Sequence, residues 1–146
     1  LLQFARAGGE RVLIKARGVS AYDIRQAVSA GARAVLDGSF SGYDCRQIAL
    51  GGGARVWLEA RGVSAYDVRQ YVEAGGQAIV DSSFSAYDVR QIAGSGAARV
   101  HVRPAGFSAY ALRQIAETGA HVFDGESPYE RNGQRAKNFG ALHARI

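Results

Sequence analysis

One seven-residue phrase recurs along this chain and limits the fold more than any other feature. It reads SAYDIRQ at 20–26, SGYDCRQ at 41–47, SAYDVRQ at 64–70, SAYDVRQ at 85–91 and SAYALRQ at 108–114. Its tyrosines, Tyr22, Tyr43, Tyr66, Tyr87 and Tyr110, are 21, 23, 21 and 23 residues apart, so the unit is a 44-residue pair of unlike halves. Residues 3–18 align without a gap to 47–62, which puts the first residues inside a unit's helix, and SPYE at 127–130 reads as a sixth, degenerate copy. An enzyme needs one active site, whereas a polar constellation written five times points to stacked units that each contact their neighbours.

The phrase starts helices. Ser20 is placed to cap a helix by accepting from the amide three residues on, with Asp23 reaching back to the Ser20 amide. The spacing recurs at Ser41–Asp44, Ser64–Asp67, Ser85–Asp88 and Ser127–Glu130, while Ser108 is followed by Ala111. The residue before each cap pairs with an apolar fourth helical residue: Val19–Ile24, Phe40–Cys45, Val63–Val68, Phe84–Val89 and Phe107–Leu112. Gly31, Gly52, Gly75, Gly96 and Gly119 follow as left-handed stops. Tyr22, Arg25 and Gln26 share one helix face, as do Tyr66, Arg69 and Gln70. Repeated in every unit, these are expected to brace neighbours, Arg stacking on Tyr and Gln satisfying loop backbone, so that Arg69→Ala or Gln70→Ala lowers stability. The competing reading is a Tyr/Arg stripe that recognises phosphate or nucleic acid.

Between the helices lie short strands that align at a constant offset of 22: residues 11–15, 33–37, 55–59, 77–81, 99–103 and 121–124. Strand side chains alternate faces. The second and fourth positions are uniformly small or aliphatic and should meet the helices. The expected fold is a right-handed α/β solenoid of six helix–strand units of about 22 residues, its parallel sheet covered by helices on one side. Residues 1–125 form the array and 126–146 a degenerate cap and basic tail, within a single domain.

The uncovered face then carries three ladders. The first is Arg11, Arg33, Arg55, Gln77, Arg99 and His121; the second is Leu13, Val35, Trp57, Ile79, His101 and Phe123; the third is Lys15, Asp37, Glu59, Asp81 and Arg103. A row of apolar and aromatic side chains this long exceeds what soluble monomers leave in water. The tail beyond Glu126 is charged (Arg131, Arg135, Lys137, Arg145) and a poor lid, so a protein partner or a second copy of the chain is expected there. Trp57, flanked by Val35 and Ile79, is the expected centre of that contact. Nucleic acid or another polyanion held by the arginine ladder and basic tail is the alternative, in keeping with a formal charge of +5.

Catalytic signals are sparse, and no cofactor is implied. Cys45 takes the place of Ile, Val or Leu and reads as a core thiol; as the single cysteine it excludes an internal disulfide. His101, His121 and His143 lack metal spacing. Asp37, Glu59 and Asp81 on successive strand ends are the one weak metal candidate, against a plain role as turn formers. No run approaches the roughly 20 apolar residues of a membrane span, and no secretory signal is seen, so a cytoplasmic location is the default.

In unit length and strand-plus-helix plan, the chain resembles the leucine-rich-repeat class of α/β solenoids, over nearly its whole length. The L-x-x-L-x-L-x-x-N signature of that class is not present. The resemblance implies a non-catalytic binding surface on the open sheet face.

Overall fold

A computed structural model describes residues 1–132. Its helices begin where serine hydroxyls satisfy the amides that a helix start leaves without partners. Ser20, Ser41, Ser64, Ser85 and Ser108 each accept the N–H three residues on, at 3.0–3.1 Å. Helix α1 spans Leu2–Gly8; the capped helices are α2 (Ala21–Ser29), α3 (Gly42–Gly52), α4 (Ala65–Glu73), α5 (Ala86–Ala93) and α6 (Ala109–Glu117), and α7 is Pro128–Asn132. Ser108 caps α6 with Ala111 in place of an acid, so the serine alone is sufficient.

Strands β1 (Leu13–Lys15), β2 (Arg33–Leu36), β3 (Val56–Glu59), β4 (Gln77–Val80), β5 (Val100–Val102) and β6 (His121–Val122) form one all-parallel sheet in sequence order. One face of it meets the helices. Val12, Ile14, Ala34, Leu36, Val56, Leu58, Ala78, Val80, Val100 and Val102 share a single buried cluster with Ile24, Cys45, Val68, Val89 and Ile115. Each valine, leucine and isoleucine among them contributes about 1.5–3 kcal/mol by leaving water. Tyr71 lies wholly inside this core, its hydroxyl within reach of Val56 O (3.0 Å) and Gln77 O (2.7 Å). A Cβ at Gly76 would collide with the Tyr71 ring, so the glycine makes room for it.

The strand register differs from the constant offset of 22. Leu13 lies opposite Arg33, Trp57 opposite Gln77 and His101 opposite His121, offsets of 20; Ala34 lies opposite Val56 and Ala78 opposite Val100, offsets of 22. The larger offsets occur where a 3-10 turn, Gly53–Arg55 or Ala97–Arg99, is inserted between helix and strand. Trp57 is therefore flanked by Val35 and Gln77 rather than by Val35 and Ile79, and the ladders are stepped rather than straight.

Three of the five stop glycines hold; Gly52 does not, nor does Gly96, whose backbone is near-extended (φ 159°) past α5, which is capped at Gly94 with φ −61°. Gly31, Gly75 and Gly119 have φ of 109°, 105° and 93°, but after α3 the positive φ falls on Gly53 (56°). Gly52 is the last residue of α3, and packing requires glycine there: a Cβ would lie 3.0 Å from Val28 Cβ. A second difference concerns the sheet's other face. It is not free of helix, because α7 folds back across it, as described next. Among the described residues, no helix is long and apolar enough to cross a membrane.

Candidate functional site

The arginine ladder is built into the scaffold. A helix end leaves carbonyls without intrahelical donors, and cationic side chains satisfy them well. Arg55 Nη2 donates to Val28 O near the end of α2 (2.6 Å), and Arg99 donates to Val72 O near the end of α4 through Nη2 (2.8 Å) and Nε (3.2 Å). Arg33, only 8% exposed, donates from Nε to Glu10 O at 2.7 Å, and burial lowers the pKa of its guanidinium. Gln77 Nε2 donates to Ala54 O at 3.3 Å. Arg55 and Arg99 end 3-10 turns that follow α3 and α5, and they reach across to α2 and α4 of the neighbouring units rather than standing on the sheet.

The aromatic ladder is covered within the chain. Leu13, Trp57, Ile79 and Phe123 form a second buried cluster with Tyr129 of α7, and Val35 packs against it. Trp57 is 2% exposed, which corrects the expectation of an open patch centred on it. Nor does it lie beneath α2–α6: residues 13, 57 and 79 occupy the strand face opposite the main core. The Trp57 ring meets His101 at 4.9 Å and Tyr129 at 6.1 Å, centroid to centroid.

Polar groups pin residues 127–130 at both ends of this cluster. Tyr129 Oη donates to Glu59 Oε2 (2.9 Å), Arg103 Nη2 donates to Ser127 Oγ (2.6 Å), Lys15 Nζ donates to Glu130 Oε1 (3.0 Å), and Arg33 Nη1 approaches Tyr129 O (3.5 Å). Arg103 also pairs with Glu59 at 3.3 Å. Burial, with a further push from the nearby Glu59 carboxylate, raises the Tyr129 phenol to about 12, which keeps it protonated as a donor. Beside this segment lies an open cleft of about 420 Å³ lined by Trp57, Gln77, His101, His121 and Phe123. There His101 Nε2 donates to Gln77 Oε1 (2.8 Å) and stacks on His121 at 5.1 Å.

The three acids of the metal candidate are held apart by separate partners. Asp37 accepts from Ser39 N and Arg17, Asp81 accepts from Ser83 N and Arg61, and Glu59 faces Arg103. The Ser39 hydroxyl and Arg17 hold Asp37 below its ordinary pKa; at Asp81 burial acts upward, but Ser83 and Arg61 outweigh it. Among the described residues, no group of three His, Cys, Asp or Glu is arranged to hold a metal ion. Cys45 is a core thiol, pushed up to about 12 by burial. Arg135, Lys137, His143 and Arg145 lie outside the described residues.

The motif tyrosines turn outward. Tyr22, Tyr43, Tyr66, Tyr87 and Tyr110 are 63–70% exposed, so their rings do not brace neighbouring units. Arg113 lies 6.0 Å from the Tyr110 ring, and Gln114 donates to Tyr110 Oη at 2.8 Å; both contacts stay within α6. Arg25 and Gln26 are exposed and Arg69 and Gln70 half-buried. Arg103 stands on the third predicted ladder; the groups that sequence reasoning missed as part of the site are Ser127 and Tyr129, for which the only signal was the SPYE copy itself. No family model, curated protein or solved structure matches the chain.

Proposed function

We propose that the chain is a non-enzymatic binding module, a right-handed α/β solenoid whose sheet face opposite α2–α6 takes up a short protein segment. One observation carries this reading: that face already holds such a segment. Residues 127–130 are gripped by side chains from three strands and the end of a fourth, with an aromatic ring at the centre and charged contacts at the rim. An apolar, aromatic centre inside a polar rim is the usual composition of a protein-recognition surface. The adjoining cleft at His101 and His121 extends the surface past the segment.

A polyanion is a poorer fit. Arg33, Arg55 and Arg99 are engaged with main-chain carbonyls, and Glu59 lies at the centre of the face. Titration of a synthetic peptide of residues 124–132 into the full-length Tyr129→Ala protein tests the proposal, read through the emission of Trp57, the single tryptophan. Saturable binding that is much weaker in the wild type, where the face is occupied, is expected. No binding to the variant contradicts the proposal.

A further inference from the structure

The segment held on the sheet face has the chemistry of the recurring motif. Ser127-Pro128-Tyr129-Glu130 opens α7 with tyrosine at its second position and an acid at its third, as Ser20-Ala21-Tyr22-Asp23 opens α2. The two tyrosines have opposite fates: Tyr129 is 8% exposed against the sheet, whereas Tyr22 is 66% exposed on the helical side. Glu59 reads the phenol O–H, Arg103 the serine hydroxyl and Lys15 the acid. A capping hydroxyl that accepts one backbone N–H keeps a second lone pair, so a motif serine can cap its helix and still accept from Arg103. In the first motif Ser20, Tyr22 and Asp23 are all exposed.

We infer that the sheet face is a receptor for Ser-x-Tyr-acid helix starts, and that its ligand in trans is the exposed turn at 20–23 of a second copy of this chain. The inference rests on the proposed role of the sheet face as a binding surface. Residues 127–130 then act as a ligand in cis, which competes at high effective concentration and keeps the copies apart. The contact joins the sheet face of one copy to the helical face of the next. It is heterologous, so it propagates into larger assemblies unless the geometry closes a ring.

Sedimentation of the full-length wild type, Tyr129→Ala and Glu130→Lys over a wide concentration range tests this. The wild type is expected to stay at monomer mass, and both variants to rise in mass with concentration. Adding Glu59→Gln to either variant should return it to monomer, and adding Tyr22→Ala should lower its association several-fold. Should Tyr129→Ala lose its cooperative fold, Glu130→Lys carries the test. Association that persists with Glu59→Gln, or a wild type that associates as its variants do, overturns the inference. Monomeric variants that bind the 124–132 peptide, seen through Trp57 emission, overturn it but leave the binding face intact. Monomeric variants that fail to bind the peptide overturn both.

Discussion

Arg99→Ala separates a structural from a polyanion-binding role for the arginine ladder. Two donors of the Arg99 guanidinium converge on Val72 O, at 2.8 and 3.2 Å, near the end of α4. A hydrogen bond from a charged group contributes about 1.5–3 kcal/mol, and Val72 O keeps the Gly75 N–H (2.9 Å), so no carbonyl is orphaned by the substitution. Because Arg99 is half-buried, water can partly replace the missing donor. The net cost works out at about 2 kcal/mol, a fall in Tm of roughly 4–8 °C for a chain of this size. Urea unfolding followed by circular dichroism gives the number directly, and Arg55→Ala, which removes the side-chain donor to Val28 O while the Gly31 N–H stays, should behave alike. An arginine displayed to solvent for a polyanion would instead cost less than about 0.5 kcal/mol, as surface substitutions do. An unchanged urea midpoint in both variants refutes the assignment of these arginines to the scaffold.

Further expectations follow from neighbouring contacts. Tyr71→Phe should cost about 1–3 kcal/mol in the same assay, because a buried and a part-buried carbonyl lose their shared donor, whereas Tyr66→Ala at the surface should stay within about 0.5 kcal/mol. Asp37 and Asp81 have lowered pKa values in the folded state, so their stabilising effect is present above the ordinary carboxylate pKa and lost as pH falls from there through the lowered folded value. With both ion pairs largely in solvent this amounts to less than about 1 kcal/mol each, and Asp37→Asn with Asp81→Asn should flatten the acid limb of the stability–pH curve. Cys45, buried with its thiol near 12, should react with a thiol reagent at neutral pH only as fast as the protein opens, so labelling should accelerate in step with added urea.

Local chemistry made much of this fold legible. A serine three residues before a free amide, an apolar fourth helical residue and a glycine stop are each set within one unit, and all five serine caps form as the spacing requires. The aliphatic columns facing the helices are equally local, since alternation along a strand decides them. The register was not legible, because the two extra residues in alternate units are taken up by 3-10 turns that the letters GAR and AAR do not announce. The direction of Arg55 and Arg99 was hidden for the same reason: a residue ending such a turn reaches across to the helix of the neighbouring unit, α2 or α4. The charge of the tail argued against its covering an apolar face. Its first segment nonetheless docks there: Glu130 is matched by Lys15 across 115 residues of sequence, and Glu59 and Arg103 receive the tyrosine and serine beside it. Pairings of that range have no signature in spacing, and they hold residues 127–130 against the sheet.

The central claim is that residues 127–130 occupy the sheet face and shield Trp57. Acrylamide quenching of Trp57 in the wild type and in Tyr129→Ala tests it most directly, at a protein concentration low enough to keep both monomeric. With Trp57 2% exposed, the wild type should resist quenching, and removal of the Tyr129 ring should raise the quenching constant several-fold while circular dichroism stays unchanged. A wild-type indole quenched as freely as in a short peptide, or one indifferent to Tyr129→Ala, contradicts the account.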